Sequence, residues 1–425
     1  MPAPDARHRS GAWRSDVHNQ PTDRVELDGR YSWLRLAVSM LIATIGSVGM
    51  WSVVVVLPAV QVEFGVARAD ASLPYTLTMV GFAFGNVFIG RILDRTGILV
   101  PLIVAAVALA VGFVGAAFVN SIWAFAILQC LIGFGASATF GPLIADISHW
   151  FEKRRGVAVA AAASGNYFAG AIWPLVMQLS LPTEGWRFTY IAIGLFCIVT
   201  MIPLTWFLRR RPPHMTAGAT GNGSGGLPPR QIDLSPRALQ MLLAIAGLGC
   251  CVAMAMPQVH IVAYCVDLGF GVARGAEMLS LMLVGGVVSR LASGFLADYI
   301  GGVKTLLVGS VLQCLALMAY IPFDGLASLY IVSLIFGLSQ GGIVPSYAII
   351  VREYLPAREA GQRVGIVIMA TIVGMALGGW LSGLIYDITG SYQAAFLNGI
   401  AWNFMNILIM LLILWRTGRR QPLAA

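Results

Sequence analysis

Apolar segments of about 20 residues, the length that crosses a hydrocarbon core roughly 30 Å thick, recur along nearly the whole chain. The sequence contains twelve, at about 34–60, 72–90, 98–119, 122–148, 157–180, 188–208, 238–265, 276–296, 304–322, 329–351, 364–386 and 392–414. Of the 425 residues, 58% are hydrophobic and 11% are charged. A soluble fold of this composition would have almost no polar surface. The sequence therefore predicts an all-α integral membrane protein with twelve transmembrane helices.

Lys and Arg residues are distributed unevenly between the two sides that these segments define. Of the 27, only Arg68, Arg187 and Arg274 fall on one side, Arg290 lies inside a segment, and the remaining 23 share the side of both termini. Such residues concentrate on the cytoplasmic side of membrane proteins. We expect a multi-pass protein of the cytoplasmic (inner) membrane with both termini cytoplasmic. Because the basic residues are dispersed over many loops, no nucleic-acid partner is expected.

One pattern occurs twice and indicates a duplicated six-helix unit. Gly-x-x-x-Asp-x-x-Gly stands at 90–97 and again at 294–301, an offset of 204. Self-similarity at this spacing predicts two pseudo-symmetric halves, an architecture typical of transporters that rock around a midplane site. A Gly-, Pro- and Ser-rich stretch separates the halves. The predicted divisions are an N-terminal arm, a first half, a linker, a second half and a tail, at 1–33, 34–208, 209–236, 237–415 and 416–425.

The repeated pattern resembles a signature of the major facilitator superfamily. Gly90-x-x-x-Asp94-Arg95-x-Gly97 resembles its loop 2–3 motif, and the second copy resembles the echo of that motif. Glycines permit tight turns and close helix approach, and the carboxylate can cap a helix or pair with an arginine in one of two rocking states. The alternative is a solvated turn. The candidates for a conformational switch are Gly90, Asp94, Arg95, Gly97, Gly294, Asp298 and Gly301.

Further stretches resemble the monocarboxylate transporters and the related oxalate/formate exchangers. Residues 150–165 form an aromatic-Phe-x-Lys-Arg-Arg run followed by small residues, residues 28–33 partly match a second signature, and 185–187 fit the same family. The resemblance spans the chain and implies a secondary active transporter of a small organic monoanion, in particular a monocarboxylate, with a proton as co-substrate. The alternatives are an efflux pump for amphiphilic compounds, an organic anion exchanger and a non-transporting receptor.

Arg290 is the basic residue inside a segment, where a guanidinium costs about 2.5–3.5 kcal/mol near the bilayer centre. The resemblance implies that an arginine at this position holds the substrate carboxylate, which its planar fork matches with two parallel hydrogen bonds. Gly286 and Ser289 give it a small-residue face suited to helix contact. Alternatively, Arg290 extends toward the cytoplasmic surface or pairs with Asp94 or Asp298.

The chain departs from the branch in its charged residues. An acid usually stands one turn before the arginine, where this chain has Gly286, and a lysine often stands in span one, where it has Met-Trp-Ser at 50–52. The exchangers' lysine in span eleven is also missing, since 370–379 are uncharged. One cation in the site favours a monoanion over a dianion.

Polar and aromatic residues in the spans are further candidates for substrate contact. His260 is suited to carrying a proton but equally to hydrogen-bonded packing, and Pro257 is expected to break span seven locally. Each of the others has helix–helix hydrogen bonding as its alternative. The substrate-binding candidates are Arg290, His260, Gln258, Asn166, Tyr167, Gln340, Tyr347 and Trp380. We expect no enzyme activity, metal or cofactor, and a monomer whose partners are an organic anion, a proton and the lipid bilayer.

Overall fold

A computed structural model describes residues 27–210, 232–356 and 359–418. Within them, fifteen helices follow one another along the chain. They are α1 (Arg30–Gly46), α2 (Val48–Phe64), α3 (Arg68–Thr96), α4 (Leu99–Ala116), α5 (Ile122–Ala138), α6 (Gly141–Ser148), α7 (Arg155–Met177), α8 (Leu181–Trp206), α9 (Pro236–Asp267), α10 (Gly271–Ile300), α11 (Gly302–Ala319), α12 (Leu326–Gln340), α13 (Ile343–Tyr354), α14 (Ala360–Thr389) and α15 (Tyr392–Gly418).

Eleven stretches of the described residues are long and apolar enough to span a membrane. Three of these stretches combine two helices each: α1 with α2, α5 with α6, and α12 with α13. Helix α7, 23 residues long and rich in Ala and Gly, occupies the place of the predicted fifth span and brings the number to twelve. The prediction of an all-α membrane protein with two six-helix halves is confirmed.

Because each span reverses the direction of the chain, α1 begins and α15 ends at the same end of the bundle. We call it the terminal end, and the opposite one the distal end. Arg68, Arg187 and Arg274 all lie at the distal end, near the starts of α3, α8 and α10. Much of the predicted arm, linker and tail lies outside the described residues, and the predicted division boundaries stay predictions.

Helix interruptions differ from those expected. The first, fourth and tenth spans were each predicted as one helix, but they break at Ser47, at 139–140 and at 341–342. The last two breaks interrupt the fourth span of each half. In contrast, the predicted break at Pro257 is wrong, because α9 stays helical from Pro236 to Asp267. Membrane helices tolerate proline where neighbouring helices compensate for the lost hydrogen bond.

The two halves repeat their packing as well as their sequence pattern. Where α3 crosses α5, a Cβ on Gly133 would overlap the carbonyl of Thr78, and where α10 crosses α12, a Cβ on Gly337 would overlap that of Met282. Both members of the second pair stand 204 residues after those of the first. The same close helix crossing is therefore built twice.

At the same crossings, a neighbouring contact between a glycine and a serine has the two residue types on opposite helices in the two halves. Gly85 of α3 faces Ser137 of α5, whereas in the second half Ser289 of α10 faces Gly341 at the end of α12. The offset is again 204. One small side chain thus fits between each pair of helices, contributed by α5 in the first half and by α10 in the second.

The two signature stretches of the first half pack against each other at the terminal end. Asp28 adopts φ +60° and its carboxylate accepts hydrogen bonds from the backbone N–H groups of 152–154 at 3.0–3.4 Å. These bonds, led by that of Lys153, hold the pKa of Asp28 below its usual range. The rings of Tyr31 and Trp150 lie 5.1 Å apart. The stretch before α1 therefore fixes the loop that begins α7.

A buried ion pair strengthens these contacts at the terminal end. Together, the contacts of Asp28, Tyr31, Arg35, Asp146 and Trp150 form what we call the terminal clamp. The Arg35 guanidinium donates from Nε and Nη2 to both oxygens of Asp146, each at 2.8 Å, and from Nη1 to the carbonyl of Leu208 at 3.0 Å. It also lies 4.4 Å from the centroid of the Trp150 ring. The bidentate geometry and the additional acceptors compensate for burying both charges. Helices α1, α6 and α8 are held together at this point.

Candidate functional site

Arg290 reaches from α10 across the interface between the two halves. Its Nη1 donates to the Ala163 carbonyl of α7 at 2.7 Å, and its Nε to the Gly341 carbonyl at the break after α12 at 3.3 Å. Among the residues whose side chains the structure describes, Arg290 forms no ion pair, and Asp298 is not its partner. The Asp94 side chain lies outside that set. The guanidinium keeps N–H donors that no described residue accepts from.

Tyr167 packs under the guanidinium, whose carbon lies 4.2 Å from the centroid of the phenol ring. This cation–π contact partly compensates for the charge within the membrane. Gly286 makes room for the ring, since a Cβ there would lie 2.8 Å from Tyr167 Cε1. Where the resembled branch usually has an acid, this chain thus has a glycine that leaves room for an aromatic ring.

Asn166 precedes Tyr167 and bonds to Trp51, which belongs to the 50–52 stretch where the resembled branch often has a lysine. Trp51 Nε1 donates to the Asn166 carbonyl at 3.0 Å and to its Oδ1 at 3.1 Å. Gly170 admits the indole, because a Cβ there would lie 2.8 Å from Trp51 Cε2. Trp51 was not among the predicted contact residues, although an indole among apolar residues needs an acceptor for its N–H.

Two glutamines face each other beside the break that Arg290 contacts. Gln258 Nε2 in α9 donates to Gln340 Oε1 in α12 at 2.7 Å. Gln258 Oε1 and Gln340 Nε2 are buried without a hydrogen-bond partner among the described residues. One acceptor and one donor therefore remain for a polar ligand, because buried polar groups without partners are costly. Gln340 immediately precedes Gly341, whose carbonyl binds Arg290.

Five of the eight predicted contact residues thus join one cluster at the interface between the halves, comprising Arg290, Tyr167, Asn166, Gln340 and Gln258. The other three lie elsewhere. Tyr347 donates to Asn406 Oδ1 at 2.9 Å inside the second half, and Trp380 is half-buried in α14. His260 belongs to a network nearer the distal end.

His260 is fully buried and both of its ring nitrogens have partners. Nε2 lies 2.7 Å from the Gly379 carbonyl and Nδ1 lies 3.1 Å from Tyr392 Oη, to which Arg68 Nη1 donates at 2.6 Å. Because a carbonyl only accepts, Nε2 carries the proton and Nδ1 accepts from the Tyr392 hydroxyl. The chain of bonds is complete with a neutral imidazole.

Arg68 joins this chain to a latch between the halves at the distal end. Its Nη2 pairs with Asp267 of α9 at 3.1 Å. The Asp387 carboxylate of α14 accepts from the backbone N–H groups of Arg68 at 2.9 Å and Ala69 at 2.7 Å. An acid of the second half thus caps a helix of the first. The sequence located these charges near one membrane surface but contained no signal for their pairing.

The repeated switch motif shows different roles for its residues. Gly97 and Gly301 end α3 and α10 with φ of +76° and +84°, which confirms the predicted turns. Gly90 and Gly294 face open space, so the predicted close helix approach does not occur there. Arg95 and Asp298 are exposed, and the Asp94 side chain is not among those described. The switch role stays a prediction.

A cavity of about 560 Å³ opens between the halves at the terminal end. We call it the terminal cavity. Its lining comes from α6 and α7 of the first half and from α13 of the second. The lining residues are Ile144, Ala145, Ser148, Gly156, Val159 and Arg352.

Comparisons with known proteins agree with this architecture. The family model described as Major Facilitator Superfamily matches residues 39–326 and 267–424. Monocarboxylate transporter 11 of Homo sapiens is 25% identical over 426 residues, covering 93% of this chain and 87% of the relative. Monocarboxylate transporter 4 of Rattus norvegicus is 24% identical over 415 residues, covering 93% of this chain and 86% of the relative.

A solved structure supports the same fold. A bacterial homolog to the human lysosomal transporter Spinster, in an inward-facing and occupied conformation, matches with a TM-score of 0.74 at 13% identity, covering 93% of this chain and all of that one. The helical architecture, its duplication and the family match along most of the sequence lead to one assignment. The chain belongs to the major facilitator superfamily, and it is a multi-pass membrane transporter of a small molecule rather than an enzyme.

Proposed function

We propose that the protein moves a small organic monoanion, a monocarboxylate, across the cytoplasmic membrane by alternating access. The observation that carries the proposal is Arg290, a guanidinium at the interface between the halves with N–H donors unclaimed by any described residue. A carboxylate matches that fork with two charge-assisted bonds. The Gln258 and Gln340 amides supply polar contacts for the rest of the ligand.

The contacts between the halves favour alternating access. At the distal end the latch of Arg68, Asp267 and Asp387 holds the halves together, while the terminal cavity separates them at the other end. We expect the terminal end to face the cytoplasm, because Lys and Arg are in excess there. With that orientation, the terminal cavity would open toward the cytoplasm and the distal latch would close the outer side.

Coupling to a proton follows from the charge of the substrate. Importing one negative charge against an inside-negative potential costs about 2.3 kcal/mol per 100 mV, and a proton moving with it removes that cost. We expect an inward pH gradient to drive uptake and the membrane potential alone to have little effect. Uptake in proteoliposomes that ignores an imposed pH gradient would remove the proton from the mechanism.

The experiment compares uptake and binding of labelled acetate, propionate, pyruvate, lactate and oxalate in proteoliposomes. Wild type is measured beside Arg290→Lys and Arg290→Gln. We expect one of the monocarboxylates to be carried, oxalate to be excluded, and Arg290→Gln to weaken binding at least about tenfold through loss of the charge-assisted bonds. Arg290→Lys keeps the charge but loses the fork, so it should recover binding only in part.

A matched control is Arg237→Gln, which removes an exposed arginine from the start of α9 outside the cluster. All variants are first checked for monodisperse elution, so that a folding defect is recognised. If no carboxylate is carried, or if Arg290→Gln transports one normally, the proposal is wrong. Raised toxin tolerance of expressing cells without carboxylate uptake would then identify an efflux pump.

A further inference from the structure

Arg352 is the one charged residue that lines the terminal cavity as the structure describes it. It belongs to the last turn of α13 and is exposed. The other lining residues belong to the first half and are apolar or small, so the guanidinium faces them across the gap between the halves. Among the described side chains, no carboxylate forms an ion pair with it.

Two acids that follow Arg352 in the chain have other partners. Glu353 accepts a hydrogen bond from the backbone N–H of Gly302 at the start of α11. Glu359 pairs with Arg363 at the start of α14 at 2.5 Å. Neither of these two acids forms an ion pair with Arg352 in the described part of the chain.

The terminal cavity leads along one face of α7 toward Arg290. Gly156 and Val159 line the cavity, and Ala163 and Tyr167 contact Arg290. Their spacing of three, four and four residues places all of them on the same side of a helix. From Gly156 to Ala163 the helix rises by roughly 10 Å, at about 1.5 Å per residue. An anion in the cavity is thus within a short distance of the candidate substrate site.

We infer that Arg352 forms a second anion-binding site, a vestibular site that captures the carboxylate at the terminal end before or after it occupies Arg290. This inference rests on the proposed function. A cation in a narrow cleft raises the local concentration of anions and accelerates their association. Arg290 then selects the ligand, and Arg352 sets how fast the ligand exchanges with the solution at the terminal end.

The first test measures the field in the cavity without requiring transport. Ser148→Cys introduces a reporter thiol into the lining, and the background is the same protein without that substitution. Its modification rates are compared for an anionic sulfonatoethyl and a cationic trimethylammonium-ethyl methanethiosulfonate. We expect Arg352→Gln to lower the anionic-to-cationic rate ratio about three- to tenfold, as loss of one nearby charge predicts. Arg352→Lys should preserve the ratio.

Two controls define the specificity of that effect. Arg237→Gln removes the same charge at the terminal end but outside the cavity lining, and it should leave the ratio unchanged. At 1 M NaCl, where the screening length is about 3 Å, the difference between wild type and Arg352→Gln should largely disappear. A ratio that Arg352→Gln does not alter at low salt overturns the inference.

The second test measures transport in inside-out vesicles, where substrate is offered from the terminal end. For the carboxylate that wild type carries, Arg352→Gln should raise the half-saturation concentration about three- to tenfold with an unchanged maximal rate. An unchanged half-saturation concentration overturns the inference. If wild type carries no carboxylate, the proposed function fails, and the reagent ratio still decides whether Arg352 makes the cavity an anion site.

Discussion

At the scale of residues, the candidate site depends on the replacement of charges by aromatic rings. Tyr167 covers the position where the resembled branch usually has an acid, and Trp51 belongs to the 50–52 stretch where that branch often has a lysine. The site loses one charge of each sign and keeps Arg290. A single cation stabilised by a π-face remains open to an anionic ligand, whereas a carboxylate one turn away would compete with it.

Gly286→Ala tests the role of the ring. The added Cβ would lie 2.8 Å from Tyr167 Cε1 and force the phenol away from the guanidinium. Displacing the phenol removes the ring that positions the guanidinium, and a loss of about 1 kcal/mol from misplaced hydrogen bonds should weaken carboxylate binding roughly fivefold, measured as the half-saturation concentration of uptake. Gly365→Ala, at a glycine of α14 that faces open space, should have no such effect. Unchanged binding in Gly286→Ala would exclude a contribution of Tyr167.

The sequence indicated Arg290 because a charge inside an apolar segment requires compensation. It did not indicate Ala163, which takes part only through its backbone carbonyl. A backbone acceptor carries no side-chain signature, and its role depends on how two helices from different halves approach each other. The same limit applies to His260, whose two partners come from α14 and α15.

At the scale of elements, the terminal clamp connects the start of α1 with the start of α7. Span number and direction followed from hydropathy, because length and apolarity are local properties. Hydropathy did not predict the interruptions of the fourth and tenth spans, because Phe140 and Gly341 do not interrupt the apolar run of the sequence. Pro257 was wrongly expected to break α9, since the surrounding helices were not part of the sequence signal.

Asp28→Asn tests the clamp. Asparagine tolerates the φ of +60° but lacks the charge and one acceptor oxygen, so the melting temperature of the detergent-solubilised protein should fall at neutral pH. Because hydrogen bonds lower the pKa of Asp28 in the fold, its contribution is present above the unfolded pKa of about 4 and is lost as pH falls through the folded value. Wild type and Asp28→Asn should therefore converge in acid. Equal melting temperatures at pH 7 would contradict this role.

At the scale of the whole molecule, the distal latch and the terminal cavity belong to one conformational equilibrium. One state is closed at the distal end, as in this structure, and the other is open there. Asp387 caps α3 from the opposite half, so that cap exists only while the distal end is closed. Weakening it should favour the conformation that is open at the distal end. This effect changes how often each conformation is populated, and it requires no change in the contacts of Arg290.

Asp387→Asn keeps one acceptor oxygen but loses the charge and the second acceptor, so it should increase distal opening roughly fivefold, the equivalent of about 1 kcal/mol for one lost charge-assisted hydrogen bond. Ser72→Cys reports that opening, because Ser72 is buried against Gly383 of the other half. The measurement is its rate of alkylation by N-ethylmaleimide. Asp324→Asn, an exposed acid between α11 and α12 at the distal end, serves as the control. Equal alkylation rates in Asp387→Asn and wild type would show that the cap does not hold the halves closed.

The exchanged contact of Gly85 with Ser137 and of Ser289 with Gly341 has a consequence for the ancestry of the two halves. A comparison of the halves position by position scores Gly85 against Ser289 as a mismatch and Ser137 against Gly341 as another. Taken as pairs, the two contacts have the same composition and the same combined volume. The same distance between the helices is reached whichever helix supplies the glycine. The two halves therefore differ less when contacting pairs of residues are compared than when single positions are compared.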